Sequence, residues 1–502
     1  MKKILIIILS FWVILPFRGA SQTIQDIYTD GDCFQVDDSL LRVHCPQVMV
    51  KPLAKEVTSI RTFSNFSYLH FTPNDSQKPY YLIVTPNSLM DSLRNEITTY
   101  AEDVHAIHGF GIRVIGTENA SAEQLKSLFM QYQDSLCGAV LIGNMPAAMY
   151  EIANDYNQYG YKKWPCDLYY MDLDGTWLDS DNNGIFDRHT GNVAPEIFVG
   201  RLSAEGLSVM GDEVTLLKRQ LRKSHDFWWN AYTLQSDTAL NYIDKDWVNI
   251  FNASNLEDVF NSSNVDDIRY GAGSSFSPSD YLQRIAHTNY GFTQLAAHSS
   301  PIRHQLTNGD VTVSNIRNVA SSNIAYNLFC CSACNWKSNS SQGYLGGAYL
   351  FAGEKTVAVV GSSKTGGMLG EGLFYSSFSS NCLGDALLQW WLANHGNTHK
   401  SKTIWWSYGM TLLGDPSICM GHDLSEVCED NLTLTQYPTD NTSNHVMFKA
   451  GSSIRVMAGF TIPIGVHVVF DAPTIIFEDG FNCPLGATFE TRSEGCVLLT
   501  QD

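Results

Sequence analysis

Positive charge is scarce in this sequence. Against 51 Asp and Glu stand 32 Lys and Arg, a formal net charge of −19. That balance argues against a nucleic-acid partner, which wants a basic face, and against anionic membrane surfaces. Charged residues of either sign make up only 17 %, while 44 % are hydrophobic, so the composition is core-forming rather than disordered. After Phe17 there is no uninterrupted apolar run of about 18 residues, so the sequence beyond it reads as soluble. Only one Cys-x-x-Cys spacing occurs, Cys331-Ser-Ala-Cys334, which speaks against a four-cysteine zinc site.

At about 100–200 residues per domain, 502 residues suggest two to four domains. Residues 1–21 read as a secretory signal peptide. Lys2 and Lys3 form a positive start, Ile4 to Phe17 is apolar, and Gly19, Ala20 and Ser21 are small. Export permits disulfides among the twelve cysteines, although spacing gives no connectivity. Residues 22–76 carry no clear pattern; Cys33 and Cys45 could close a small loop there.

From Tyr80 the pattern sharpens. Short apolar runs at Tyr81–Thr85, Gly111–Ile115 and Gly138–Ile142 alternate with helical stretches at 88–108 and 122–134. Strand, helix, strand, helix, strand predicts a parallel α/β sheet. Further strands are expected at 196–200, 292–297, 324–329 and 356–360, and a helix at 209–224. Residues 225–285 show no usable period. Open parallel sheets carry their chemistry at strand carboxyl ends. His298 and Cys331 both stand there.

A thiolate is a nucleophile and a nearby histidine can take its proton. Strands lie about 4.8 Å apart, so side chains at neighbouring ends can converge. Small residues after Cys331 leave backbone N–H groups free for an oxyanion. The same residues also fit a polar strand end with structural cysteines, and Cys331-x-x-Cys334 also fits a redox dithiol.

Several segments point further. Tyr81-Leu-Ile-Val-Thr-Pro86, Asp167-Leu-Tyr-Tyr170, Asp172-Leu-Asp-Gly175, Glu196-Ile-Phe-Val-Gly-Arg-Leu202, Thr356-Val-Ala-Val-Val-Gly-Ser362 and Leu413-Gly-Asp-Pro416 together make the chain resemble the gingipain-type cysteine peptidases, family C25, of Bacteroidetes-like bacteria. The resemblance runs from about Tyr81 to Met420. It implies a caspase-like, mostly parallel sheet flanked by helices over residues 77–425, and protein or peptide substrates. It also implies Cys331 as nucleophile, His298 as the base and Glu196 as the acid that orients the histidine. Cys330 and Cys334 remain rival nucleophiles. Gingipains have Gly on both sides of the histidine, where this sequence has Ala297 and Ser299. The enzymes it resembles are often exported to the cell surface, which implies a secreted or surface location. The rival reading is a catalytically silent homologue acting in surface binding or adhesion.

Two features lie outside the Cys–His pair. Asp179, Asp181, Asn183, Ile185 (through its carbonyl) and Asp187 stand at alternate positions with Gly184 sixth, as in the first part of a calcium loop. Thr190 stands where the bidentate Glu would be, so Asp172, Asp174 or another outside carboxylate would have to substitute; the expected cofactor is a structural Ca²⁺. Beyond residue 430, Ala458-Gly-Phe-Thr-Ile-Pro-Ile-Gly465 recurs as Asp479-Gly-Phe-Asn-Cys-Pro-Leu-Gly486, an offset of 21. This predicts a small all-β C-terminal module over 430–502, built of stacked turns, with surface attachment as a candidate role.

Overall fold

The computed structural model describes residues 66–69, 79–229, 238–251, 253–271, 276–396, 401–420, 429–437 and 445–493. The signal-peptide reading and the Cys33–Cys45 loop lie outside the described residues.

One sheet organises the chain. Its strands are β1 Phe66–Leu69, β2 Tyr80–Pro86, β3 Gly111–Thr117, β4 Leu136–Ile142, β5 Phe198–Leu202, β6 Ala239–Ile243, β7 Val265–Arg269, β8 Phe292–Ala296, β9 Ala325–Phe329, β10 Ala358–Ser362 and β11 Met410–Gly414. They lie in the order β1-β3-β2-β4-β5-β11-β10-β9-β8-β6-β7. All neighbouring pairs are parallel except β1/β3 and β10/β11. The sheet is therefore two parallel halves that run in opposite directions and meet at β10/β11.

Most central strands are buried along their whole length, as in β5, β8, β9, β10 and β11. Strands covered on both faces read as continuous apolar runs, which is why the sequence showed them. Helix Asn87–His108 ends at Gly109, whose left-handed φ of 67° closes the last turn through its N–H to the His105 carbonyl. Helix Ala122–Met130 starts on a capping box between Ser121 and Gln124.

Several expectations shift: the strand expected at 356–360 is Ala358–Ser362, and the helix expected at 122–134 ends at Met130. The strand expected at 196–200 begins at Phe198, leaving Glu196 in the preceding turn. The helix expected at 209–224 runs from Glu213 to Trp229, after Asp212 takes the Thr215 N–H. Residues 225–285 hold β6, β7 and helix Pro278–His287. Strand β7 is an incompletely buried edge with two aspartates, and β6 hides Asn241 in its centre, so neither reads as an apolar run.

The C-terminal residues form a separate five-strand array: β12 Glu429–Leu434, β13 His445–Val456, β14 His467–Asp471, β15 Thr474–Phe477 and β16 Thr488–Arg492. Every pair is parallel, and partners sit 21 or 22 residues apart, such as Asn431 with Ser453 and His467 with Thr488. Gly459 N–H donates to Gly480 O at 3.1 Å and Gly465 N–H to Gly486 O at 2.8 Å, so the sequence repeat is the rung of the stack. Phe460 and Phe470 are fully buried between the rungs. Among the described residues no helix is long and apolar enough to cross a membrane.

Candidate active site

The strand register builds the site. Ile243 pairs with Ala296, Ala296 with Phe329, and Leu328 with Gly361. The carboxyl ends of β6, β8, β9 and β10 are therefore level. His298 and Cys331 each lie two residues past their strand, on adjacent strands. The Ala297 N–H donates to the Phe329 carbonyl at 3.3 Å, and the Ser299 hydroxyl donates to the Cys331 carbonyl at 2.5 Å, tying the two turns together. Both side chains are only partly buried.

Beyond Cys331 the chain turns sharply. Ser332 has φ 58°, a left-handed conformation that a non-glycine residue adopts at a cost of about 1–3 kcal/mol. Its N–H is held by the Lys364 carbonyl at 2.7 Å, and Cys334 N–H by the Ser362 carbonyl at 3.0 Å. The next strand thus fixes the turn that presents Cys331. Burial raises the Cys331 thiol above its usual range, while the Gly366 N–H and the nearby Lys364 charge act against that rise.

The histidine has an acid partner, and it is Asp246. Asp246 Oδ2 lies 3.0 Å from His298 Nε2. That contact, as a hydrogen bond to the carboxylate, lowers the Asp246 pKa from its usual value. Asp246 comes from the turn after β6. Asp244 caps that turn by accepting from the Lys245 N–H and the Thr307 hydroxyl, which projects Asp246 toward β8. The buried Trp247 beside it packs 5.3 Å from the His298 ring and 4.9 Å from Phe329. Nε2 is the ring nitrogen that Asp246 engages.

Glu196 is placed elsewhere, which corrects the role the resemblance gave it. Its strand begins level with the carboxyl end of β10, but four strand spacings from β8, or about 19 Å. Its Oε2 accepts the Leu173 N–H at 2.6 Å. Its carboxyl lies with those of Asp172 and Asp174, within 4.8 Å of one another. Burial, with those two neighbours, pushes Glu196 up to about 7.

The rival cysteines are in the core. Cys330 is 1 % exposed and Cys334 0 %, and burial raises both thiols. All eight cysteines among the described residues are free, so neither Cys331 nor Cys334 is in a disulfide.

The acidic loop turns as its glycine suggests: Gly184 has φ 86°. Asp179 accepts the N–H groups of Asn183 and Gly184, Asn183 Oδ1 accepts from Ile185 N–H, and Asp181 lies against both Asp179 and Asn183. Asp187 instead takes the N–H and hydroxyl of Ser180. A carboxylate from outside the loop does arrive: Glu151 Oε1 accepts from Asn183 Nδ2 at 2.9 Å. The donors are all oxygen, as a hard divalent cation requires.

Sequence reading missed Asp246 because no period placed β6. It also passed over Lys364, which follows β10 as His298 and Cys331 follow β8 and β9.

The model of peptidase family C25 matches residues 74–421, more than half of the chain. A solved structure described as "Structure of Protease" is similar at 14 % identity and a TM-score of 0.47, covering 68 % of this chain and 78 % of that one. No curated protein matches. The matched span holds both parallel halves of the sheet from β2 to β11, and the chain belongs to peptidase family C25, the gingipain-type cysteine peptidases.

Proposed function

We propose that the protein is an exported cysteine endopeptidase using Cys331 and His298. The observation that carries this reading is the register of β8 against β9, which sets His298 and Cys331 side by side. His298 Nδ1 takes the thiol proton as Cys331 sulfur attacks the scissile carbonyl. The carbonyl electrons move to oxygen, toward backbone N–H groups near Cys331 and after His298. When the tetrahedral species collapses, His298 returns the proton to the leaving amine. Water, deprotonated by His298, then cleaves the thioester and restores the thiol. Asp246 holds Nε2–H, fixing the tautomer and stabilising the imidazolium. Asp246 takes the part that the resemblance assigned to Glu196.

Calcium belongs to the scaffold in this reading. Asp179, Asp181, the Asn183 amide oxygen and the Ile185 carbonyl would hold the ion, and Glu151 would replace the missing twelfth-position carboxylate; Asp187 would have to leave Ser180. The C-terminal array would serve attachment at the cell surface.

The silent-homologue reading draws on one observation: no hydrogen bond joins the Cys331 sulfur to the His298 ring. The experiment is turnover of a mixed peptide library by the mature chain and by Cys331→Ala. Internal cleavage by the first and not by the second supports the peptidase. Absence of cleavage by both, with the chain folded, supports the silent homologue.

A further inference from the structure

A fourth side chain belongs to the row at the strand ends. Lys364 lies two residues past β10, level with Cys331 on β9 and His298 on β8. A lysine two residues past a strand would ordinarily point to water. This one is 3 % exposed. Its Nζ donates to the Trp405 carbonyl at 2.5 Å and to the Thr365 carbonyl, and lies 4.9 Å above the Tyr156 ring and 5.1 Å above the Trp164 ring. Its counter-ion is Asp155, 0 % exposed, with Oδ1 at 3.1 Å. That approach is an ion contact rather than an aligned hydrogen bond. Asp155 comes from a turn in which Tyr156 and Asn157 both have positive φ, and Tyr156 is anchored by its hydroxyl on the Trp405 carbonyl at 2.9 Å.

Burying a lysine is costly, and the carbonyls and rings only partly offset the cost. A purely structural pair could be replaced by apolar residues at little loss. What distinguishes this pair is its neighbour: Cys331 follows the adjacent strand and the Lys364 carbonyl holds the Ser332 N–H next to it at 2.7 Å, so the Lys364 charge favours the thiolate and the Asp155 charge opposes it. We propose that Lys364 is a positioning residue for Cys331: its ammonium, held in place by Asp155, supplies the positive charge against which the Cys331 thiolate forms. The inference rests on Cys331 being the reactive thiol.

The charged and titratable groups around the pair are few. Cys331 faces Lys364, Asp155, the Tyr156 phenol and the Gly366 N–H, with His298 on the adjoining strand. Lys364 faces Asp155, Cys331 and Cys166; Asp155 also feels Lys162. Burial lowers Lys364 to about 8. The support it gives is present below that pH and fades above it.

The test is alkylation of Cys331 by iodoacetamide as a function of pH, read on the Cys331 peptide of the full chain by mass spectrometry. Lys364→Met is expected to move the midpoint of the rate profile up by about one pH unit, or about tenfold slower labelling at neutral pH. Asp155→Asn is expected to move it down, and Lys364→Arg to leave it near the parent. A structural role moves both neutralising variants the same way or neither, and either result overturns the proposal. If Lys364→Met fails to fold, the sign of the Asp155→Asn shift decides. Library cleavage by the parent chain is a separate readout. Opposed shifts without cleavage would sink the peptidase reading and keep the charge pair, whereas cleavage without opposed shifts would do the reverse.

Discussion

In the half of the sheet made of β6, β8, β9 and β10, the chain leaves each strand and delivers Asp246, His298, Cys331 and Lys364 within three residues of its end. In the half made of β2 to β5 with β11, the strand ends are locked to other parts of the protein. Gly143 N–H donates to the Leu202 carbonyl, Asp415 accepts from the Tyr100 hydroxyl, and Arg201 forms two hydrogen bonds to Asp167, at 2.6 and 3.0 Å. The strands are the same kind of object in both halves. What differs is whether the polar residues at their ends have their bonding filled from within. Arg201 and Asp167 are buried, paired and capped by the Trp336 face. Lys364 in the first half is enclosed in the same way, but His298 and Cys331 beside it are left partly open.

Four substitutions test that contrast. The largest effect belongs to the locked half. Arg201→Met leaves the Asp167 carboxylate buried without its partner, and a loss of about 3–5 kcal/mol in unfolding free energy is expected in a denaturant titration. The matching change in the open half, Asp246→Asn, should leave stability nearly unchanged and lower kcat on a peptide substrate by about 10²-fold, because the histidine loses its orienting acid. Equal loss of stability in both variants would dissolve the distinction.

Calcium should act on stability and not on chemistry. Its addition at about 100-fold over Kd should stabilise the chain by about 2.7 kcal/mol, seen as a raised Tm, and Asp181→Asn should abolish most of that rise. The smallest effect is expected at Glu196. Its pKa is raised in the folded chain, so the stability it contributes is complete below the unfolded value near 4.3 and is lost as pH rises through about 7. Glu196→Gln should therefore raise Tm slightly at pH 8 but not at pH 4. Hydrolysis should stay within about twofold of the parent. A loss of activity as large as that of Asp246→Asn would return Glu196 to the site.

The amino-acid order alone set most of the alternation of strands and helices, since most of the buried parallel strands are largely apolar runs. It also determined the 21-residue rung of the C-terminal array, because a stack repeats its turn glycines. His298 and Cys331 were legible as strand-end residues of the kinds that do nucleophilic chemistry. The family segments carried the rest of that reading, and also the choice of Glu196. Tertiary structure alone decided which acid faces the histidine. Local sequence says that Glu196 precedes a strand, but only the order β5-β11-β10-β9-β8 puts three strands between that residue and His298. Asp246, separated from His298 by 52 residues, is one strand away. The burial of Lys364 was equally hidden. Its sequence neighbours are Ser363 and Thr365, and the aspartate and rings that enclose it, those of Asp155, Tyr156 and Trp164, lie about 200 residues earlier in the chain. Strand order and long-range burial are properties of the packed chain, and the electrostatics of the site follows from them.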